Sequence, residues 1–239
     1  MRNMALLLGL TASLLVPNAT AQSGKYPNMA PIEQYRMDRD AEIQMARSSA
    51  PEAVSKDATV LVLGQQDFET AMQGTNGFVC WVERSWMEPF DAPEYWNPKV
   101  RGAQCANRQA AQAIIPILHL RTRMVLAGKS NPEVLAALKA AYASKQLPGL
   151  EVGGMVFMMA KSAYLFDADD HNGPHVMFYT PLTDSKDWGA DATNSPVFAG
   201  PYWFWSSKDA SQAEGLPPIL VFAIAVPNWS DGTTAPMAH

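Results

Sequence analysis

The order of hydrophobic periods along this chain constrains its fold more than any single residue does. Strand-type runs come first, a helical stretch fills the middle, and strand-type runs return at the end. Thr59-Val-Leu-Val-Leu63 is rich in β-branched residues, has strand length and is closed by Gly64. Phe68–Met72 and Phe78–Glu83 follow as two more strands, and the Gly74 and Asn76-Gly77 between them read as a hairpin connection. Residues 107–127 have helical character, with Pro116 as a kink or break and Gly128 as the C-cap. Asn131-Pro132-Glu133 opens a further helix, with Asn as N-cap and Pro in the first turn. An earlier helix is expected from Pro31 to about Ser48. Strand character returns at Met155–Met159, His175–Tyr179, Val197-Phe198, Tyr202–Trp205 and Ile219–Val226. Strands, then helices, then strands predict one α+β domain over 31–230, not an alternating βαβ fold. Its sheet is expected to be mostly antiparallel, with about five or six strands and three to four helices.

The first 21 residues carry the three parts of a cleavable signal peptide. Arg2 is the basic start, Met4–Val16 is nearly all apolar, and Ala19-Thr20-Ala21 supplies the small-x-small cleavage pattern. The apolar run is 13 residues, short of the roughly 18 that a spanning helix needs. Removal would leave 218 residues with a formal charge of −6, preceded by a flexible tether over 22–30 and followed by a disordered tail over 231–239. The expected location is exported, periplasmic or secreted, with no membrane span after cleavage. With no basic run, nucleic acid is not an expected partner. Charged residues are 17% of the chain, below the roughly 25% of ordinary domains, so the composition favours a buried core.

Export gives the two cysteines their reading. Cys80 and Cys105 are the only pair, and in an oxidising compartment such a pair is expected to form a disulfide. A catalytic thiol beside a histidine is the alternative.

Two stretches carry the candidate chemistry. Residues 167–175 gather Asp167, Asp169, Asp170, His171, Asn172 and His175. His171 and His175, with Asp170, could bind a divalent metal or serve as catalytic groups, although the sequence requires no cofactor. The bland alternative is a polar turn feeding a strand. The second stretch is the end of the Phe78–Glu83 strand. Glu83 and Arg84 lie beside Trp81 and Trp86, and Trp96 follows in a long aromatic loop. Together they could form a groove for a small molecule, glycan or peptide, or Glu83 and Arg84 could be a structural ion pair. His119 lies in an apolar helix and reads as a packed, semi-buried side chain. No nucleophile elbow, P-loop, dinucleotide-binding glycine motif, H-E-x-x-H or C-x-x-C is present.

Gly77-Phe-Val-Cys-Trp-Val-Glu-Arg-Ser-Trp86, Tyr95-Trp-Asn-Pro-Lys-Val-Arg-Gly102, Pro174-His-Val-Met-Phe178 and residues 31–40 resemble segments of a family of exported bacterial proteins with no assigned activity. The resemblance implies bacterial origin and export, and no mechanism. The reading that results is an exported binding or interaction domain with an aromatic-lined groove. A hydrolase-like enzyme using His175 with His171 and Asp170 is the alternative.

Overall fold

The computed structural model describes residues 25–168, 173–181, 189, 192–193, 195, 197–200, 204–206 and 210–236. It is one α+β domain around an eight-stranded sheet of order β2-β1-β3-β4-β5-β6-β8-β7. The strands are β1 Thr59–Leu63, β2 Phe68–Met72, β3 Val79–Glu83, β4 Gly102–Ala106, β5 Gly154–Met158, β6 His175–Thr180, β7 Val197–Gly200 and β8 Leu220–Ala225. The α-helices are α1 Arg39–Arg47, α2 Glu52–Ser55, α3 Arg108–Leu126 and α4 Asn131–Ala143. Every pairing is antiparallel except β1 with β3. None of the described helices is long and apolar enough to cross a membrane.

The sheet has more strands than the expected five or six, and β4 is the one with no strand signal in the sequence. Its Gly-Ala-Gln-Cys-Ala sequence has little intrinsic β preference. It becomes a strand because β3 and β5 pair with it on both sides and its small side chains let both faces be covered closely. Phe204 and Trp205, expected at the end of a strand, lie in a buried turn, while Tyr202 and Trp203 fall outside the described residues.

The expected β2–β3 hairpin is also corrected. β2 turns back along β1, and the chain then crosses the start of β1 to lay β3 on its other side, parallel to it, with Thr59 opposite Val79. Gly74 makes this crossing feasible. A Cβ there would lie 2.2 Å from the Ala58 carbonyl carbon and the Thr59 nitrogen, so only glycine lets the two backbones pass. Asn76 then ties the loop to the Val54 carbonyl at 2.7 Å.

The expected helix over 31–48 is two pieces. A 3-10 turn at Ile32–Tyr35 is followed by α1, whose N-cap Asp38 accepts from the backbone N–H groups of Asp40 and Ala41. α3 runs through Pro116 without a break. Its end is a Schellman closure, with Gly128 at φ +74° and Lys129 N–H donating to Met124 O. In α4 the N-cap is Ser130, one residue before the expected Asn131, with Glu133 accepting from the Ser130 N–H and hydroxyl.

Side chains alternate across the sheet and divide the core. One face carries Leu61, Leu63, Trp81, Ala106, Val156, Met177 and Tyr179 against α3, α4 and the 84–101 loop. The other carries Val60, Cys80, Val82, Ala103 and Cys105 against α1. The chain ends pack down where they are described. Tyr26 and Lys25 both donate to Asp167, and Asn228 bridges Thr234.

Candidate functional site

Alternation sends the adjacent Glu83 and Arg84 to opposite faces. Arg84 goes to the α1 side, fully buried, 2.9 Å from Glu42, and donates to the carbonyls of Tyr35 and Val82. It therefore holds α1 and the Ile32–Tyr35 turn to the sheet, and its ion pair is with Glu42, not Glu83. Cys80 and Cys105 face each other across β3 and β4 on this same side and are bonded, with a Cα–Cα distance of 4.0 Å. No free cysteine remains, which overturns the catalytic-thiol alternative.

Glu83 goes to the α3 side, where it enters a polar centre within the aromatic core. Its side chain lies across Gly102, the residue opposite it on β4. A Cβ at that position would sit 2.7 Å from Glu83 Cγ and Oε1. Gln104, 3% exposed and opposite Trp81, hydrogen-bonds the Glu83 carboxylate. Glu88 approaches from the 84–101 loop, and Arg121 from α3. Burial and the neighbouring Glu88 charge push the Glu83 carboxyl well above its ordinary range, more than Arg121 and Gln104 offset. Burial likewise pushes Glu88 up to about 7, against the pull of Arg121 and with added repulsion from Glu94. Tyr179 on β6 is raised by burial and by the charge of Glu83.

Arg121 builds the wall of this centre. It donates to Glu88 O at 2.6 Å, Phe204 O at 2.9 Å and Met87 O at 3.4 Å, tying the aromatic loop and the 204–206 turn to α3. Its guanidinium lies 4.4 Å from the Phe90 ring centre and 5.6 Å from that of Tyr95. Three atoms in the centre's residues are buried with no hydrogen-bond partner among the described residues: Trp81 Nε1, Gln104 Oε1 and Arg121 Nε. Such atoms carry a desolvation cost unless a water or ligand meets them.

Of the residues singled out from sequence, Trp81 and Glu83 meet in this centre. Trp86 is buried beside α3, its Nε1 donating to Thr122 Oγ1 at 3.0 Å. Trp96 is 9% exposed and edge-on to Tyr95 at 4.7 Å. The aromatics are thus core walls in the described structure. His175 shares the α3 face and is buried, which lowers its pKa, and its Nδ1–H donates to Gly173 O at 2.8 Å. His171 and Asp170 lie outside the described residues. Among the described residues no three His, Cys, Asp or Glu side chains are grouped to hold a metal.

Glu88, Gln104 and Arg121 were not visible as site residues in the sequence. Arg121 had a signal: it continues the buried stripe of Ile114, Ile117, Leu118 and Val125, where a cation needs a reason. Comparison with family models, curated proteins and solved structures returns no match.

Proposed function

We propose that this chain is an exported, disulfide-stapled bacterial binding domain that takes a small polyhydroxylated ligand at the Trp81–Glu83–Gln104 centre. The observation that carries the reading is a pair of buried atoms without a hydrogen-bond partner among the described residues, on side chains of residues paired across β3 and β4. Trp81 Nε1 is a donor and Gln104 Oε1 an acceptor, both buried. A hydroxyl both donates and accepts, so one sugar-type ligand can satisfy both. The leader-like residues 1–21, the disulfide and the resemblance to exported bacterial proteins support an oxidising compartment. Calorimetric titration with a panel of mono- and disaccharides tests the reading. Binding by the wild type that weakens at least about tenfold in Gln104→Leu and Trp81→Phe supports it, the loss expected when a buried partner is removed. Absence of binding across the panel, or binding indifferent to both variants, overturns it.

The two raised carboxyls favour a second reading, a hydrolase in which one of Glu83 and Glu88 is a proton donor and the other a base. Turnover of nitrophenyl glycosides that is lost in both Glu83→Gln and Glu88→Gln would select it over binding alone. The metal-dependent version with His171, His175 and Asp170 is separated by metal analysis of wild type and His175→Ala. Metal in the first and none in the second would favour it.

A further inference from the structure

A second site lies away from this centre, on the outer side of α3. A pocket of 440 Å³ is lined by Asp67, Pro116, His119, Leu120, Arg123, Ala141, Gln146 and Leu147. Asp67, in the β1–β2 turn, has both oxygens engaged. Oδ1 accepts from His119 Nδ1 at 2.8 Å and from Phe68 N–H at 2.7 Å, and Oδ2 accepts from Arg123 at 2.9 Å. The carboxylate fixes the ring so that Nε2 is the nitrogen left to face a ligand. His119 is 28% exposed, and neither its Nε2 nor the remaining Arg123 N–H groups have a partner among the described residues. The rest of the wall is apolar apart from the Gln146 amide.

The unused polar capacity of the pocket therefore has one chemical character. Asp67 is already satisfied, Arg123 offers a planar fork of donors, and His119 adds a donor when protonated. The charged groups facing the imidazole are Asp67 and Arg123. Asp67 holds the ring in place through Nδ1 at 2.8 Å. Pro116, Leu120, Ala141 and Leu147 offer surface to a hydrocarbon tail. We propose that this pocket binds a small amphiphilic monoanion, a carboxylate with a short aliphatic chain. Its head is held by Arg123 and protonated His119, and its tail lies on Pro116, Leu120 and Leu147. The site is independent of the Glu83 centre.

The test is calorimetric titration of the purified chain with octanoate, acetate and octanol at pH 6. Octanoate should bind at least about tenfold more tightly than either acetate or octanol, because head and tail act together. Arg123→Gln and His119→Gln should each reduce octanoate affinity about tenfold or more, and Lys161→Ala, remote from the pocket, should not change it. The Arg123 side chain is 55% exposed, so its replacement leaves the fold intact. Octanoate affinity unchanged in Arg123→Gln and His119→Gln would overturn the proposal. So would equal affinity for octanol.

Discussion

The two faces of the β3–β4 pair handle buried charge in opposite ways. On the α1 side, Arg84 meets Glu42 at 2.9 Å and the carbonyls of Tyr35 and Val82, and Glu42 also accepts from Leu63 N–H. Opposite charges are paired there, beside a disulfide and small side chains. On the α3 side, Glu83 meets a second carboxyl, Glu88, and the cation within reach is largely committed to backbone carbonyls. One residue step along the chain separates a locked assembly from one left electrostatically unresolved. Burial alone therefore does not mark a functional group. Buried charge in contact with its opposite is structural, whereas buried charge crowded by a like charge holds a perturbed protonation state available to a ligand or reaction.

The largest predicted effects break the locked side. Arg84→Met leaves Glu42 buried without its cation, and should cost about 3–5 kcal/mol in denaturant unfolding. Removing the disulfide in a Cys80→Ser, Cys105→Ser double variant should cost about 3 kcal/mol, because the bond closes a loop with a sequence separation of 25. An Arg84→Met loss below about 1 kcal/mol would mean that the α1 side is no more specified than the other.

These two faces were unequally legible in the sequence. β1, β2, β3, β6 and β8 could be read because their β-branched and aromatic residues have strand character of their own. β4 could not, since Gly102, Ala103 and Ala106 become strand only through neighbours brought in from residues 79–83 and 154–158. The crossing of β1 was hidden because a glycine needed for backbone approach looks the same as a glycine needed for a tight turn. Trp81 and Glu83 were found because they share one strand face by simple alternation. Glu88, Gln104 and Arg121 reach the same point from a loop, an unforeseen strand and a helix, and that convergence is tertiary. Alternation also puts Arg84 with Cys80 and Val82, but its partner Glu42 arrives from α1 and was not legible.

The next effect is a pH dependence carried by the α3 side. Glu88 has its pKa raised from 4.5 to about 7, so the folded chain holds this proton more tightly than the unfolded chain. The stability linked to that proton is fully present below pH 4.5 and is lost as pH rises through about 7. Glu83, raised in the same direction, extends the fall upward. Thermal midpoints measured from pH 5 to 8 should therefore decline, by the equivalent of about 2 kcal/mol once screening at the partly exposed Glu88 is allowed for. Glu88→Gln should flatten the decline. A wild-type profile that rises over this range would show that the carboxyls are paired as tightly as Arg84 is.

The smallest effect comes from the position that lets the two carboxyls meet. An alanine at Gly102 would place its Cβ 2.7 Å from Glu83 Cγ and Oε1 and 3.0 Å from Leu165 Cδ2. The backbone need not move, because the Glu83 side chain can swing aside. Gly102→Ala should therefore cost only about 1 kcal/mol, at the low end for an overpacked site. Its diagnostic consequence is electrostatic. Displacing the Glu83 carboxylate from Glu88 removes part of the repulsion between them, so the midpoint of the pH-dependent decline should move toward acid. Stability that falls while that midpoint stays fixed would show that Glu83 and Glu88 titrate independently. The contrast between a locked and an unresolved face would then rest on burial alone.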